Sequence, residues 1–507
     1  MIILILAAML LASNLQARPA FQITLEASMA PKGTSGRLFV LMAKGLKNRE
    51  RITTSFTPGE TWFAAMEIEH FAPGQVVEFD PDSKAYPKPF SQAPAGEWEF
   101  MALLDPDHSF ANGGQGEGDI YSTVVGVKDW NPASAAPVTL SLSKITAARP
   151  ELKSIDGIEL VEFISPRLST FWGRPITIQA GVVLPPNYGK DKKKNYPVCY
   201  RVHGFGGSHR AAWTQGVNIR KQMQEGKYME MVHVYLNANF PTGHHVFADS
   251  VNNGPWGAAL TQEFIPYLEK KYQLIPRPGA RFLTGHSSGG WSTLWLQVAY
   301  PDFFGGTWPT APDSVDFHSF TGIDATPGST QLAYQKLDGK PVWLVRMAGK
   351  DVGAMSDFVL QEEVAGPVGG QMASFDWVFS PKGSDGRPMK LFDRVTGEQN
   401  PEVQEYWKRY DIRRIVEENW DKLGPKLRGK IRLVIGSQDT FHLEEAAIIF
   451  CDFMKTKGRE DACEIVPDRD HGNLYQSFKT YEAGLAQRID QEMKQQFNRY
   501  LPSSKRR

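Results

Sequence analysis

Three short segments carry residues suited to nucleophilic chemistry, and they follow one another in a fixed order. The first is RFLTGHSSGGW, an apolar strand-like run, then Gly285-His286-Ser287-Ser288-Gly289, then an amphipathic helical pattern. This is the G-x-S-x-G frame in the strand–turn–helix context that a nucleophile elbow requires. The frame centres on Ser287 and not on Ser288. Glycines two before and two after the serine let strand and helix approach, and the turn then presents the Ser287 hydroxyl at the carboxyl edge of a sheet. It also aims the backbone N–H of Ser288 and the helix N-terminus at a developing oxyanion.

The second segment is IRLVIGSQDTFHLEE, where a strand ends at Gly436 and Asp439 follows on a loop. An acid there can orient a histidine and stabilise its charged form. The third is CEIVPDRDHGN, where another strand ends and His471 stands in a Gly/Asn-containing loop before the last helix. The spacing of 32 residues between Asp439 and His471 leaves room for one helix and one strand. Ser, Asp, His is the chain order of α/β-hydrolases, distinct from the chymotrypsin and subtilisin orders. Asp351 is a rival acid, since it also follows an apolar strand and a glycine, but it lies too far before His471 for a helix–strand hop. His442 is too close to Asp439 in sequence to partner it across a sheet. His203 and His286 are read as structural or wall residues, and Asp468 and Asp470 as loop-shaping. A further glycine-rich turn, His203-Gly204-Phe205-Gly206-Gly207, ends the strand YPVCYRV and is much like the HGGG-type oxyanion loop. Phe205 or Gly206 is the expected second donor beside Ser288.

These residues need a sheet to hold them. From about residue 150, apolar strands (ITIQAGVVLP, YPVCYRVHGF, VHVYLNANF, RFLTGH, IRLVIGSQD, CEIVPD) alternate with helical patterns (GAALTQEFIPYLEKKY, GWSTLWLQVAY, EEAAIIFCDFMK, GLAQRIDQEMKQQFNRY). Strands apolar on both faces with helices between them indicate a mostly parallel sheet covered on both sides, an α/β architecture. Residues 21–148 instead show short alternating segments separated by Pro/Gly breaks, the pattern of a β-sandwich. Within them DPDHSFANGGQGEGD holds Asp105, Asp107, Asn112 and Asp119. The spacing does not match an EF-hand loop, so the segment is read as a polar turn.

Composition narrows the function classes. The chain has 507 residues with 56 Lys+Arg against 56 Asp+Glu. That balance argues against nucleic-acid and polybasic membrane-surface partners, which need a large positive field. Three cysteines exclude a disulfide scaffold and a cysteine-rich metal site. Residues 2–12 form one unbroken apolar run, too short to span a bilayer at about 20 residues but fitting a secretory leader over 1–20, cut after Ala17 or Ala20. A secreted or periplasmic protein is expected, and export permits a disulfide between Cys451 and Cys463. Cys199, in the strand YPVCYRV, is expected to be a buried, unpaired thiol.

Residues about 155–500 resemble the putative-esterase family of the α/β-hydrolase fold, which includes esterase D and enterochelin-esterase-like proteins. The resemblance rests on VVLPPNYGKDKKKNYPVCYRVHGFGG, NNGPWGAALTQEFIPYLEKKY, TGHSSGGWSTLWLQVAYPDFFGG, LVIGSQDTFHLEEA and DRDHGN. It implies an α/β-hydrolase domain over 149–507 that cleaves carboxylic esters with Ser287, His471 and Asp439, without a metal or other cofactor. An acyltransferase with the same triad and a non-catalytic binding protein are the alternatives; a peptidase is disfavoured because nothing like a propeller precedes the domain. The substrate class expected is a small-molecule or polysaccharide-linked ester, and the oligomeric state is left open. The stretch between Ser287 and Asp439 holds an insertion, about 315–425, carrying Phe375, Trp377, Phe379, Phe392, Tyr406, Trp407 and Tyr410. It is expected as a lid or pocket wall, with Trp377 on one side and Trp256 and Asn252 on the other; the competing expectation is that these aromatics only pack the insertion's own core.

Overall fold

The computed structural model describes residues 20–54, 61–477 and 482–500. The apolar run 2–12 and Ala17, on which the leader expectation rests, lie outside them. The chain divides into two compact units: residues up to Asp107 with Gln115–Ala148, and His108–Gly114 with Arg149 onward.

The second unit is built on an eight-stranded sheet. Its strands are β1 (Ile158–Ile164), β2 (Thr177–Val183), β3 (Val198–Val202), β4 (Val232–Leu236), β5 (Arg281–His286), β6 (Gly306–Thr310), β7 (Leu433–Gly436) and β8 (Cys463–Val466). They lie in the order β1-β2-β4-β3-β5-β6-β7-β8. β2 is antiparallel to both its neighbours, and every pair from β4 to β8 is parallel. This is the α/β-hydrolase fold anticipated above. The strands read as continuous apolar runs because both faces are covered. Phe282 enters one core cluster and its neighbour Leu283 the other, as the period of two requires. β6, sequence GTWPT, escaped the sequence reading: a glycine and a proline stand where a central strand ordinarily carries β-branched residues.

Between β6 and β7 lies the insertion. It contains a hairpin (Trp343–Met347 with Lys350–Ala354) and helices Met355–Ala365, Gln371–Phe379, Pro401–Trp407, Ile412–Glu418 and Trp420–Leu427. The expected lid is corrected here. Phe375, Phe379, Phe392, Trp407 and Tyr410 are buried in the same core cluster as Trp291 and Leu294 of the helix that follows Ser287. Phe379 packs on Trp291 with ring centroids 5.0 Å apart, and Tyr410 on Trp295 at 5.5 Å. Rings that fill a core shared with the elbow helix cannot swing as a flap. Trp377 and Tyr406 are half-buried.

The first unit carries nine strands, hydrogen-bonded along one continuous path. Residues Ile120–Ser122 bond both to Gly96–Asp105 and to Val138–Ile145, which makes the sheet continuous. It nevertheless curls around one core. Phe21 and Phe100 sit on strands separated by two others in that order, yet their rings are 5.4 Å apart, closer than the roughly 4.8 Å spacing per strand allows in a flat sheet. The loop expected to be a polar turn closes on itself, with Asp119 Oδ2 accepting the N–H of Gly116 at 2.6 Å. Burial and the carboxylates of Asp105 and Asp107 push Asp119 up to about 7.

Cys199 is fully buried, and burial pushes its thiol up to about 11, so it is inert at neutral pH. Cys451, on the helix Leu443–Thr456, pairs with Cys463 at the start of β8, with Cα atoms 5.6 Å apart. This tie fastens the helix between Asp439 and His471 to the strand that leads to His471. Intact mass after alkylation in denaturant without reductant is expected to show one alkylated thiol, that of Cys199, and not three. Opening the bond by replacing both cysteines with serine should cost about 3 kcal/mol, read from denaturant melts.

Candidate active site

Ser287 joins β5 to the helix Ser288–Ala299 with φ +59° and ψ −128°. A non-glycine residue in that region carries strain of about 1–3 kcal/mol, which the surrounding structure must hold in place. Three backbone bonds hold it here: Ser287 N–H donates to the Thr310 carbonyl at 3.0 Å, and the Ser287 carbonyl accepts from Trp291 at 3.0 Å and Asp313 at 3.2 Å. The glycines are required by contact. A Cβ on Gly285 would stand 2.2 Å from the Gly289 carbonyl oxygen, and one on Gly289 would stand 2.1 Å from that of Val202.

Asp439 and His471 leave adjacent parallel strands. Their loops are laced together by Ser437 N–H to the Val466 carbonyl and Gln438 N–H to the Arg469 carbonyl, both at 2.9 Å. A side chain on Gly436 would strike the Arg469 carbonyl at 2.1 Å. The lacing brings His471 Nδ1 to 2.8 Å from Asp439 Oδ2. Asp439 is fully buried, and its other oxygen accepts the Phe441 N–H at 2.9 Å. Phe441 also sets its ring edge-on to His471 at 5.0 Å. Asp470 shapes the histidine loop, as expected, by accepting the N–H groups of Gly472 at 2.9 Å and Asn473 at 2.8 Å.

The rival residues are occupied elsewhere. Asp351 Oδ1 lies 3.0 Å from His442 Nε2, in the insertion's hairpin, and not against His471. His286 stands beside His471, ring centroids 4.4 Å apart, but burial and then the His471 charge press it down to about 3. A histidine held neutral in that way is a wall and not a competing base. His203 is held to about 4 by burial; its Nε2 accepts the Ala238 N–H at 2.9 Å, and its Nδ1 meets the Gly204 carbonyl at 2.7 Å. It therefore braces the glycine-rich turn.

That turn runs from Gly204 to Gly207, closed by Gly207 N–H to the Gly204 carbonyl at 3.0 Å. Gly206 takes φ +75°, the left-handed position of a type II turn. A Cβ on Gly204 would come within 3.2 Å of Ser287 Cβ, so this turn packs directly against Ser287. Phe205 and Gly206 are its central residues. Ser288 opens the elbow helix, where an N–H has no intrahelical partner. Backbone from two segments thus adjoins Ser287.

Trp256 and Asn252 are corrected. Both are 2% exposed: Trp256 stacks on His245 at 3.6 Å inside the core, and Asn252 Nδ2 donates to the Ser380 carbonyl at 2.8 Å. They support the fold and present no wall. Sequence reasoning missed Asp313, whose carboxyl lies between the hydroxyls of Ser287 and Ser288. The available signal was an acid just past the end of a strand, but that strand was the unrecognised β6. Among the described residues, Asp316, His318 and Asp411, and Asp105, Asp107 and Asp119, are grouped closely enough to hold a metal. Neither group includes Ser287, Asp439 or His471, and Asp316 already faces Arg413 Nε at 2.9 Å.

The geometry can be set beside known proteins. The family described as Putative esterase matches residues 169–489. Probable dipeptidyl-peptidase 5 of Aspergillus flavus is 27% identical over 177 residues, which is 33% of this chain and 22% of that protein. The chain thus spans about a fifth of the length of the curated relatives it matches. Among solved structures, a ferulic acid esterase aligns with 66% of this chain and 97% of its own at 16% identity and TM-score 0.42. S-formylglutathione hydrolase from Staphylococcus aureus aligns with 67% and 98% at 12% identity and TM-score 0.38.

The two acids can be told apart by substitution. Asp439→Asn should lower kcat on a p-nitrophenyl ester by about 10⁴-fold, because the amide favours the wrong histidine tautomer. Asp351→Asn should leave kcat near wild type. Both are to be compared at equal melting behaviour.

Proposed function

We propose, from the premise that this chain belongs to the putative-esterase family, that it is a serine esterase working through Ser287, His471 and Asp439. The observation that carries the reading is the 2.8 Å pairing of His471 with a buried Asp439, beside a serine held in the elbow conformation. Asp439 holds the proton of His471 on Nδ1 and leaves the other ring nitrogen to act as base. His471 takes the Ser287 proton as Oγ attacks the ester carbonyl, then returns it to the leaving alcohol. The N–H of Ser288 and one from Phe205–Gly206 receive the oxyanion; each such donor is worth about 2.7–4 kcal/mol. Water then cleaves the acyl-enzyme by the same proton path in reverse. We take the apolar run 2–12 as an export leader, which places the activity outside the cytoplasm, on small-molecule or polysaccharide-linked esters.

The likeness to a dipeptidyl-peptidase favours peptide cleavage as the second reading, since an amide would use the same nucleophile and base. Parallel assays on p-nitrophenyl esters and dipeptidyl p-nitroanilides separate the two. Ester turnover is expected to dominate. Ser287→Ala should lower it by about 10⁶-fold while circular dichroism and melting stay unchanged. Near-wild-type turnover in that folded variant would refute the assignment.

A further inference from the structure

Asp313 has no part in the reaction described above, yet it touches the atom that starts it. It is 4% exposed, on the loop that follows β6. Its Oδ1 lies 3.4 Å from Ser287 Oγ, and its Oδ2 accepts the Ser288 hydroxyl at 2.6 Å. The shorter contact lies in the range of an O–H donated to a carboxylate. Among the described residues no hydrogen bond joins Ser287 Oγ to His471, so the resting hydroxyl is turned toward Asp313. The titratable groups that face Asp313 are His471 and Asp439, from the loops after β8 and β7, alongside the two serine hydroxyls of the elbow. No lysine or arginine among the described residues forms an ion pair with it. The positive charge that can answer it is therefore the one His471 acquires during the reaction.

We propose that Asp313 is a second catalytic carboxylate, which receives the Ser287 hydroxyl at rest and, together with Asp439, offsets the imidazolium charge formed on His471. In the step itself the Ser287 Oγ–H bond breaks, its proton passes to the ring nitrogen of His471 not held by Asp439, and the bond from Oγ to the acyl carbon forms. Asp313 exchanges no proton. Burial pushes it up to about 6, against the opposing pull of the serine hydroxyls and His471, so it is charged at neutral pH and loses that charge in mild acid. The inference rests on Ser287 being the nucleophile.

The test needs no knowledge of the natural substrate. The rate at which a fluorophosphonate probe labels the full chain is measured across about pH 4.5–9, with the labelled peptide identified by mass. Asp313→Asn, shown folded by its melt, should lower the plateau rate about tenfold or more. It should also move the acid limb down by about half a pH unit or more, because a neutral amide neither titrates nor favours a proton on His471. A plateau within about threefold and an unmoved limb would make Asp313 a structural brace and overturn the proposal. A wild-type chain whose Ser287 is never labelled overturns the nucleophile assignment and this inference with it. Labelling at Ser287 with no effect of Asp313→Asn overturns the inference alone.

Discussion

The absence of two side chains, at Gly285 and Gly289, is the constraint on which the rest of the site depends. The carbonyls of Gly289 and Val202 occupy the space where those Cβ atoms would be, at 2.2 and 2.1 Å. Only that contact lets the elbow helix start directly over the end of β5, and only that start forces Ser287 into its strained φ +59°. Strain of this kind persists when neighbours over-determine it. Here the neighbours are the Thr310 carbonyl and the N–H groups of Trp291 and Asp313. The elbow helix is itself anchored by burial, since ten of its residues are inaccessible, among them Trp291 and Leu294. The insertion between β6 and β7 supplies much of that burial. The insertion thus packs against the helix that supports Ser287, and Trp407 and Phe379 contribute by that packing.

Charge around the site is sorted by burial. His203 and His286 are pressed to about 4 and 3 because a cation in a dry interior is costly, and His244 is held to about 3 for the same reason. His471 differs in having a carboxylate on its Nδ1. The three buried rings form neutral walls and braces around it. The same sorting acts on acids. Burial raises Asp313 to about 6, while the half-exposed Asp351 pairs with His442 and not with His471.

The loops that carry Asp439 and His471 are aligned by the sheet before any side chain acts. Parallel pairing of β7 with β8 sets Gly436 opposite Val466, and the next backbone bonds run loop to loop. The disulfide between Cys451 and Cys463 closes the intervening helix onto the same strand. Asp439 and His471 are thus two ends of one supersecondary unit, which explains why their separation in sequence is short.

Much of this was legible in the chain itself. The elbow frame, the order Ser287, Asp439, His471, the glycine-rich turn after His203 and the strand–helix alternation all depend on local requirements: a strained turn needs glycine, a two-sided strand needs continuous apolar residues. The Cys451–Cys463 pairing was legible for the same reason, because helix and strand are neighbours in sequence. What tertiary structure alone decided is non-local. Aromatic residues in an insertion look the same whether they line a cavity or fill a core, and only their contacts with Trp291 and Trp295 distinguish the two. Trp256 and Asn252 follow the same rule. β6 carries a glycine and a proline, so its propensity hides a strand that bridges β5 and β7. Asp313 was hidden with it. The position of an acid relative to Ser287 is fixed by where a strand ends in space, and pattern along the chain carries no record of that distance.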